Sequence, residues 1–174
     1  MTFSGPIRLW LCVLALFAGF AALNASHAAG PVTDPAFKGV FGDWALRCES
    51  NAIAAGEQCV LVQSVAADNK PDLQMVVIVL KGPNGGYVLR IVVPLGIILP
   101  SGLGLKIDNV DIGRTGFMRC LANGCMAEVV MDDNLLNRFT TGESALFVIF
   151  TSPAEGVGFP IRLAGFSNGV VKLP

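Results

Sequence analysis

The sequence predicts a mostly-β domain: an antiparallel β-sandwich or curled sheet with one or two short helices and two disulfides. Three observations predict it. From Val40 onward, short apolar runs alternate with Gly-, Pro- and Asn-rich punctuation at the spacing of antiparallel strands. No long stretch with a 3.6-residue apolar period competes with them. Four cysteines remain once an amino-terminal leader is set aside, an even number that suits paired thiols in an exported domain.

The leader comes first. Met1 to Ile7 carries no charged side chain, Arg8 follows, and Leu9 to Leu23 is a continuous apolar and small-residue run. That run is too short for a comfortable bilayer span of roughly 20 residues. It ends in Asn24-Ala25-Ser26-His27-Ala28-Ala29, with small side chains at Ser26 and Ala28, the positions a signal peptidase reads. Residues 1–28 are therefore expected to be a cleaved signal peptide, with no transmembrane segment left afterwards. Cys12 lies too early in the apolar run to be a lipoprotein acceptor. Cleavage after Ala28 leaves 146 residues, the size of one domain. We read 29–39, with Pro31 and Pro35, as a flexible lead-in and 40–174 as a single β-rich domain.

Strands are expected near Gly42–Cys48, Gln58–Val65, Leu73–Leu80, Tyr87–Val93, Gly104–Ile107, Gly116–Cys120, Met126–Met131, Ala145–Thr151 and Phe159–Leu163. Asp68-Asn69-Lys70-Pro71, Gly82-Pro83-Asn84-Gly85-Gly86, Asn123-Gly124 and Ser152-Pro153-Ala154-Glu155-Gly156 punctuate them. Met75 to Leu80, and Ile91 to Val93 leading into Pro94–Pro100, are apolar at every position. Such runs predict central strands covered on both faces. Asp132 to Phe139 is the best helix: an aspartate caps its start, Leu135, Leu136 and Phe139 share a face, and Gly142 lies beyond its end. A second helical turn is expected after Gly165. The scattered aromatics, among them Trp44, Tyr87, Phe147, Phe159 and Phe166, fall at strand positions and read as core.

The cysteines allow three connectivities, and the local one, Cys48–Cys59 with Cys120–Cys125, fits the loops. Asn123-Gly124 is a strong turn signal between Cys120 and Cys125. A polar, small-residue loop separates Cys48 from Cys59. Their spacings of eleven and five do not match the short paired knuckles of structural zinc. No metal or other cofactor is expected.

The charge balance excludes other partners. The mature chain carries 11 basic and 13 acidic side chains and no basic stripe, so no nucleic-acid partner is expected. Its only histidine, His27, falls within the leader, which removes histidine-based nucleophilic catalysis, general bases and metal ligands together. Carboxylates remain. Asp108 and Asp111 stand three apart in a turn-like stretch, and Asp132 and Asp133 are adjacent. They are the only candidates for a two-carboxylate hydrolase site. As a turn residue and a helix cap they also have simpler roles.

The residues then fall into a familiar succession. Phe41-Gly42-Asp43-Trp44-Ala45-Leu46-Arg47-Cys48 leads to Cys59-Val60-Leu61-Val62-Gln63, and Val93-Pro94-Leu95-Gly96 runs on to Pro100-Ser101-Gly102-Leu103 and Ile107-Asp108. Phe117-Met118-Arg119-Cys120, Gly124-Cys125 and Leu163-Ala164-Gly165-Phe166 complete it. In this order the chain resembles the invasion-associated locus B family of alphaproteobacteria over nearly its whole mature length. Gly169 stands where that pattern would place alanine. The resemblance implies a small exported protein of the periplasm or outer surface of a Gram-negative bacterium. The family takes its name from members linked to host-cell invasion, and it brings no catalytic residues to carry over.

The sequence thus points to an exported, non-catalytic binding or envelope-interaction protein, with a role in host-cell interaction implied only by the family name. The alternatives are a carboxylate-dependent envelope glycan hydrolase and an apolar-ligand carrier built on a closed sheet with an empty interior. Only 24 of the 146 mature residues are charged, so self-association or a protein partner is expected.

Overall fold

A computed structural model describes residues 34–51 and 56–174; the expected signal peptide, with Cys12 and His27, lies outside the described residues. Eleven strands run in order as β1 (Phe37–Phe41), β2 (Trp44–Asn51), β3 (Gly56–Ala67), β4 (Lys70–Lys81), β5 (Tyr87–Val93), β6 (Leu103–Ile107), β7 (Val110–Thr115), β8 (Phe117–Leu121), β9 (Gly124–Met131), β10 (Ser144–Ser152) and β11 (Glu155–Arg162). Helix α1 (Asp133–Thr141) joins β9 to β10, and α2 (Phe166–Val170) follows β11. A seven-stranded sheet has the order β1-β2-β3-β4-β5-β9-β8, and a four-stranded sheet the order β11-β10-β6-β7. Every described pairing is antiparallel. The expected mostly-β fold with two short helices is present, as two open sheets rather than a closed barrel.

Alternation builds the core. Trp44 and Leu46 of β2, Leu61 of β3, Met75, Val77 and Val79 of β4, and Leu89, Ile91 and Val93 of β5 all point to one face of the larger sheet. They pack in one buried cluster with Phe147, Ile149, Phe159 and Ile161 of the smaller sheet and with Leu135, Phe139, Phe166 and Val170 of the helices. Trp44 meets Phe166 edge-on at 5.2 Å between ring centroids, and Phe139 lies 5.3 Å from Phe166. A carrier built on a closed sheet does not fit, because neither sheet closes.

Several boundaries differ from the expectation, each for a local reason. Residues 29–33 of the expected lead-in lie outside the described residues, while Phe37–Gly39 belong to β1, which pairs with β2. Its Lys38 and Gly39 hid the strand pattern. β7 was not expected, since Leu105–Asp111 reads as a turn. It is a hairpin whose two central residues, Asp108 (φ 47°) and Asn109 (φ 66°), both adopt positive φ. That is the backbone a two-residue turn with the twist of the flanking strands requires. The β8–β9 pairing runs one step past the cysteines to Leu121↔Gly124, leaving Ala122 and Asn123 as the turn. β5 stops at Val93 before Pro94, which has no N–H for the ladder. Finally, β4 and β5 are central within the larger sheet, as expected, but only one of their faces is covered. Val76, Ile78, Leu80 and Val92 point away from the core and are half-buried.

Candidate functional site

The sequence motifs converge on a clamp. Trp44 and Cys48 lie four residues apart on the inner face of β2, as do Cys59 and Gln63 on β3. The register sets Cys48 against Cys59, and one step beyond Ala45↔Val62 it brings Trp44 to Gln63. At one end the sulfurs are bonded. At the other, the Trp44 indole N–H and the Gln63 amide both donate to the Arg162 carbonyl of β11, each at 3.1 Å. Gln63 is the one polar side chain among the buried described residues, and this bond satisfies it. The clamp fastens the larger sheet to the smaller one. Cys120 and Cys125 are bonded across the β8–β9 hairpin, giving the pairing the loops favoured.

Glu57 lies within ligand distance of the Cys48 and Cys59 sulfurs. Those sulfurs are bonded to each other, and Glu57 pairs with Lys38 at 2.9 Å. Zinc binds thiolates, so this trio does not offer the donors of a structural zinc site.

Three of the four aspartates hold backbone N–H groups. Asp108 accepts from the Glu143 and Ser144 N–H groups at 3.1 and 3.0 Å, pinning the β6–β7 turn to the start of β10. Asp111 accepts from the Gly113 N–H at 2.9 Å within its own strand. Asp132 caps α1 by accepting from the Leu135 N–H at 2.7 Å. Asp133 occupies the first turn, where its charge complements the helix dipole. Asp132 begins the nine-residue helix and Asp108 stands at its far end, about 13 Å along the axis at 1.5 Å per residue. The two pairs are therefore not brought together, and none of the four lines the concavities described next.

Two surface features stand out that residue-by-residue reading missed. The first is an apolar slot of about 220 Å³ between the sheets, beside β7. Its walls are Leu89, Ile91 and Val129 of the larger sheet, Leu103, Leu105 and Phe147 of the smaller, and Leu135 of α1. Arg114 is the one charged residue among the described residues that line it. Its guanidinium donates to the Ser101 carbonyl at 3.2 Å and sits 5.2 Å from the Phe150 ring. The second is the outer face of the larger sheet, where Val60, Val62, Val76, Ile78, Val92 and Met126 are half-buried. A shallow hollow of about 420 Å³ lies there over β2, β3 and β4. The apolar runs carried this signal, but burial on both faces was the simpler expectation.

Among the charged groups, Glu155 stands apart. A hydrogen bond from Lys70, and then that ammonium's charge, hold its carboxyl below the usual carboxylate range. Among the described residues no helix is long and apolar enough to cross a membrane.

Fold and clamp together define a class: small two-sheet β domains held by two disulfides, a construction suited to an oxidising, extracytoplasmic compartment. The chain belongs to the Invasion associated locus B (IalB) protein family, whose model matches residues 44–174. An invasion protein B homolog of Brucella abortus (strain 2308) is 27% identical over 159 residues, 90% of each chain. A homolog from Brucella abortus biovar 1 (strain 9-941) matches to the same extent. The crystal structure of invasion associated protein B from Bartonella henselae has the same fold, with a TM-score of 0.64 at 21% identity. It covers 77% of this chain and 92% of that one.

Proposed function

We propose that the mature domain is an exported, non-catalytic binding protein of the periplasm or outer surface, working through its surfaces rather than through bond-making chemistry. One observation carries this reading. The concavity between the sheets has mostly apolar walls, with Arg114 and Thr115 at its β7 edge and no carboxylate in its lining, while Asp108, Asp111 and Asp132 are spent on turns and a helix cap. The bonded sulfurs, and the lack of histidine in residues 29–174, support it. The relatives' names extend the reading to a part in host-cell interaction.

The test has two arms. Amino-terminal sequencing of protein recovered from the periplasm or medium should begin at Ala29; an intact Met1 on cytosolic material ends the export claim. Purified mature protein incubated with peptidoglycan should release no reducing ends. Release that disappears in Asp108→Asn or Asp132→Asn would establish the hydrolase instead.

A further inference from the structure

The outer face of the seven-stranded sheet is apolar where solvent-facing strands are ordinarily polar. The register lines its side chains into rows. Ser64, Val76, Val92 and Met126 form one, Ala45, Val62, Ile78, Arg90 and Glu128 the next, and Arg47, Val60, Leu80, Val88 and Val130 a third. Val130 is 74% exposed and Leu121, on the adjoining β8, 53% exposed. At the middle of this field the only charges on β5 and β9 are a matched pair, with Arg90 Nε 2.8 Å from a Glu128 carboxylate oxygen.

We propose that this face is the contact between two copies of this chain. The inference rests on the binding-protein reading and names its partner. Charge is the first argument. A face carrying Arg90 and Glu128 side by side is complementary to itself, because a two-fold axis can set the Arg90 of each copy over the Glu128 of the other. A membrane surface or a uniformly charged partner would match only half of that pair. Area is the second. Six adjacent strands at about 4.8 Å spacing, each showing about six residues of rise, make a face about 29 Å by 20 Å. On that plan the face covers about 580 Å², the upper end of the patch a typical monomer exposes and the footprint of a small, reversible dimer rather than of a standard interface burying roughly 800 Å² on each side. Sheets packed face to face at a small angle are a standard way to cover such a surface.

The experiment is sedimentation of the mature protein over a wide concentration range, with two kinds of variant. Wild type should sediment as a dimer. Ile78→Glu, placed mid-face, should weaken the dimer about a hundredfold or more, with the far-UV spectrum and both disulfides retained. Should that variant not fold, the charges decide. Arg90→Glu and Glu128→Arg, each alone, should weaken self-association about tenfold. Mixed together, the two variants, one with an acidic and one with a basic pair at these positions, should form a one-to-one heterodimer. A wild-type monomer at every concentration overturns the proposal, as does a dimer that ignores Ile78→Glu or an equimolar mixture that forms no heterodimer. A monomer that binds anionic vesicles or another protein through this face also overturns the second-copy assignment, yet leaves the binding reading intact. Glycan hydrolysis ends that reading and leaves the sedimentation result standing.

Discussion

At the scale of single residues, Gly42 and Gly165 explain why the motifs containing them keep company. Both adopt positive φ, 59° and 85°, and each approaches the other's loop backbone to backbone. A Cβ on Gly165 would run into the carbonyl of Phe41, and one on Gly42 into that of Ala164. Neither obstacle is a flexible side chain that could swing away. Gly165→Ala therefore combines left-handed backbone strain with a backbone clash, and should destabilise the domain by about 2–5 kcal/mol in urea unfolding. A loss under about 0.5 kcal/mol, the size of an ordinary surface change, would show that the two loops separate freely. Glu155 makes the second residue-scale case. Its carboxyl titrates lower in the folded chain than in the unfolded one because Lys70 donates to it. The pair's contribution is thus present above the ordinary carboxylate pKa and fades as pH falls through the lowered value. Both groups are solvent-exposed, so the effect on stability should be small. Carbon-13 titration of the Glu155 carboxyl should nevertheless move upward in Lys70→Ala, and an unchanged midpoint would show that the ion pair does not persist in solution.

At the scale of elements, the two disulfides close different things. Cys48 and Cys59 are both buried in the core beside the β2–β3 ladder, whereas Cys120 is exposed at a hairpin edge. They also span eleven and five residues of chain. The loop-closure term alone gives about 2.8 kcal/mol for the longer and about 2.1 kcal/mol for the shorter. Replacing Cys48 and Cys59 together by serine additionally places two hydroxyls in apolar surroundings, at about 1–3 kcal/mol each where unsatisfied. Urea unfolding should therefore show the Cys48/Cys59 double variant weakened well beyond the Cys120/Cys125 one; equal losses would mean that burial adds nothing to closure. The pairing itself was legible because both bridges join strands across short loops, and a turn signal is local. The same locality exposed α1, whose Asp132 cap and Leu135–Phe139 face sit within eight residues. β7 is hard to read because Asp108-Asn109 suits a carboxylate site or an isolated turn as well as it suits the centre of a two-residue hairpin flanked by Leu-Lys-Ile and Val-Asp-Ile. The carboxylates were visible, but their use was not, since Asp108 bonds Glu143 and Ser144 thirty-five and thirty-six residues away.

At the scale of the whole molecule, the sandwich is fastened unequally along its two sides. Sequence periodicity shows which residues point inward but not which sheet a strand joins, so this asymmetry could not be read from it. On one side β11 lies against β3. There the Asp68 N–H donates to the Gly158 carbonyl at 3.2 Å, and Trp44 and Gln63 both reach Arg162. On the other side β7 is, among the described strands, an edge strand paired with β6 alone and mostly exposed, with the 220 Å³ slot beside it and Ile112 as the side chain it packs against the core. Local opening follows the places where few apolar contacts are lost, and β7 is such a place. Its Ile112 is only half-buried, and losing that contact costs little compared with withdrawing Leu103 or Ile107 of β6 from the interior. Native-state hydrogen exchange in rising urea should find the β7 amides opening first, at a free energy well below global unfolding. Amides of β3, β4 and β5 should exchange only with the whole domain, because each of those strands is paired on both sides. If the β7 amides were instead protected as fully as those of β4, something would have to fill the slot or pair the β7 edge in solution. Repeating the exchange with Val129→Phe, which puts a ring into the slot, would then separate the two: the ring displaces whatever fills the slot but leaves the hydrogen bonds of a paired edge in place.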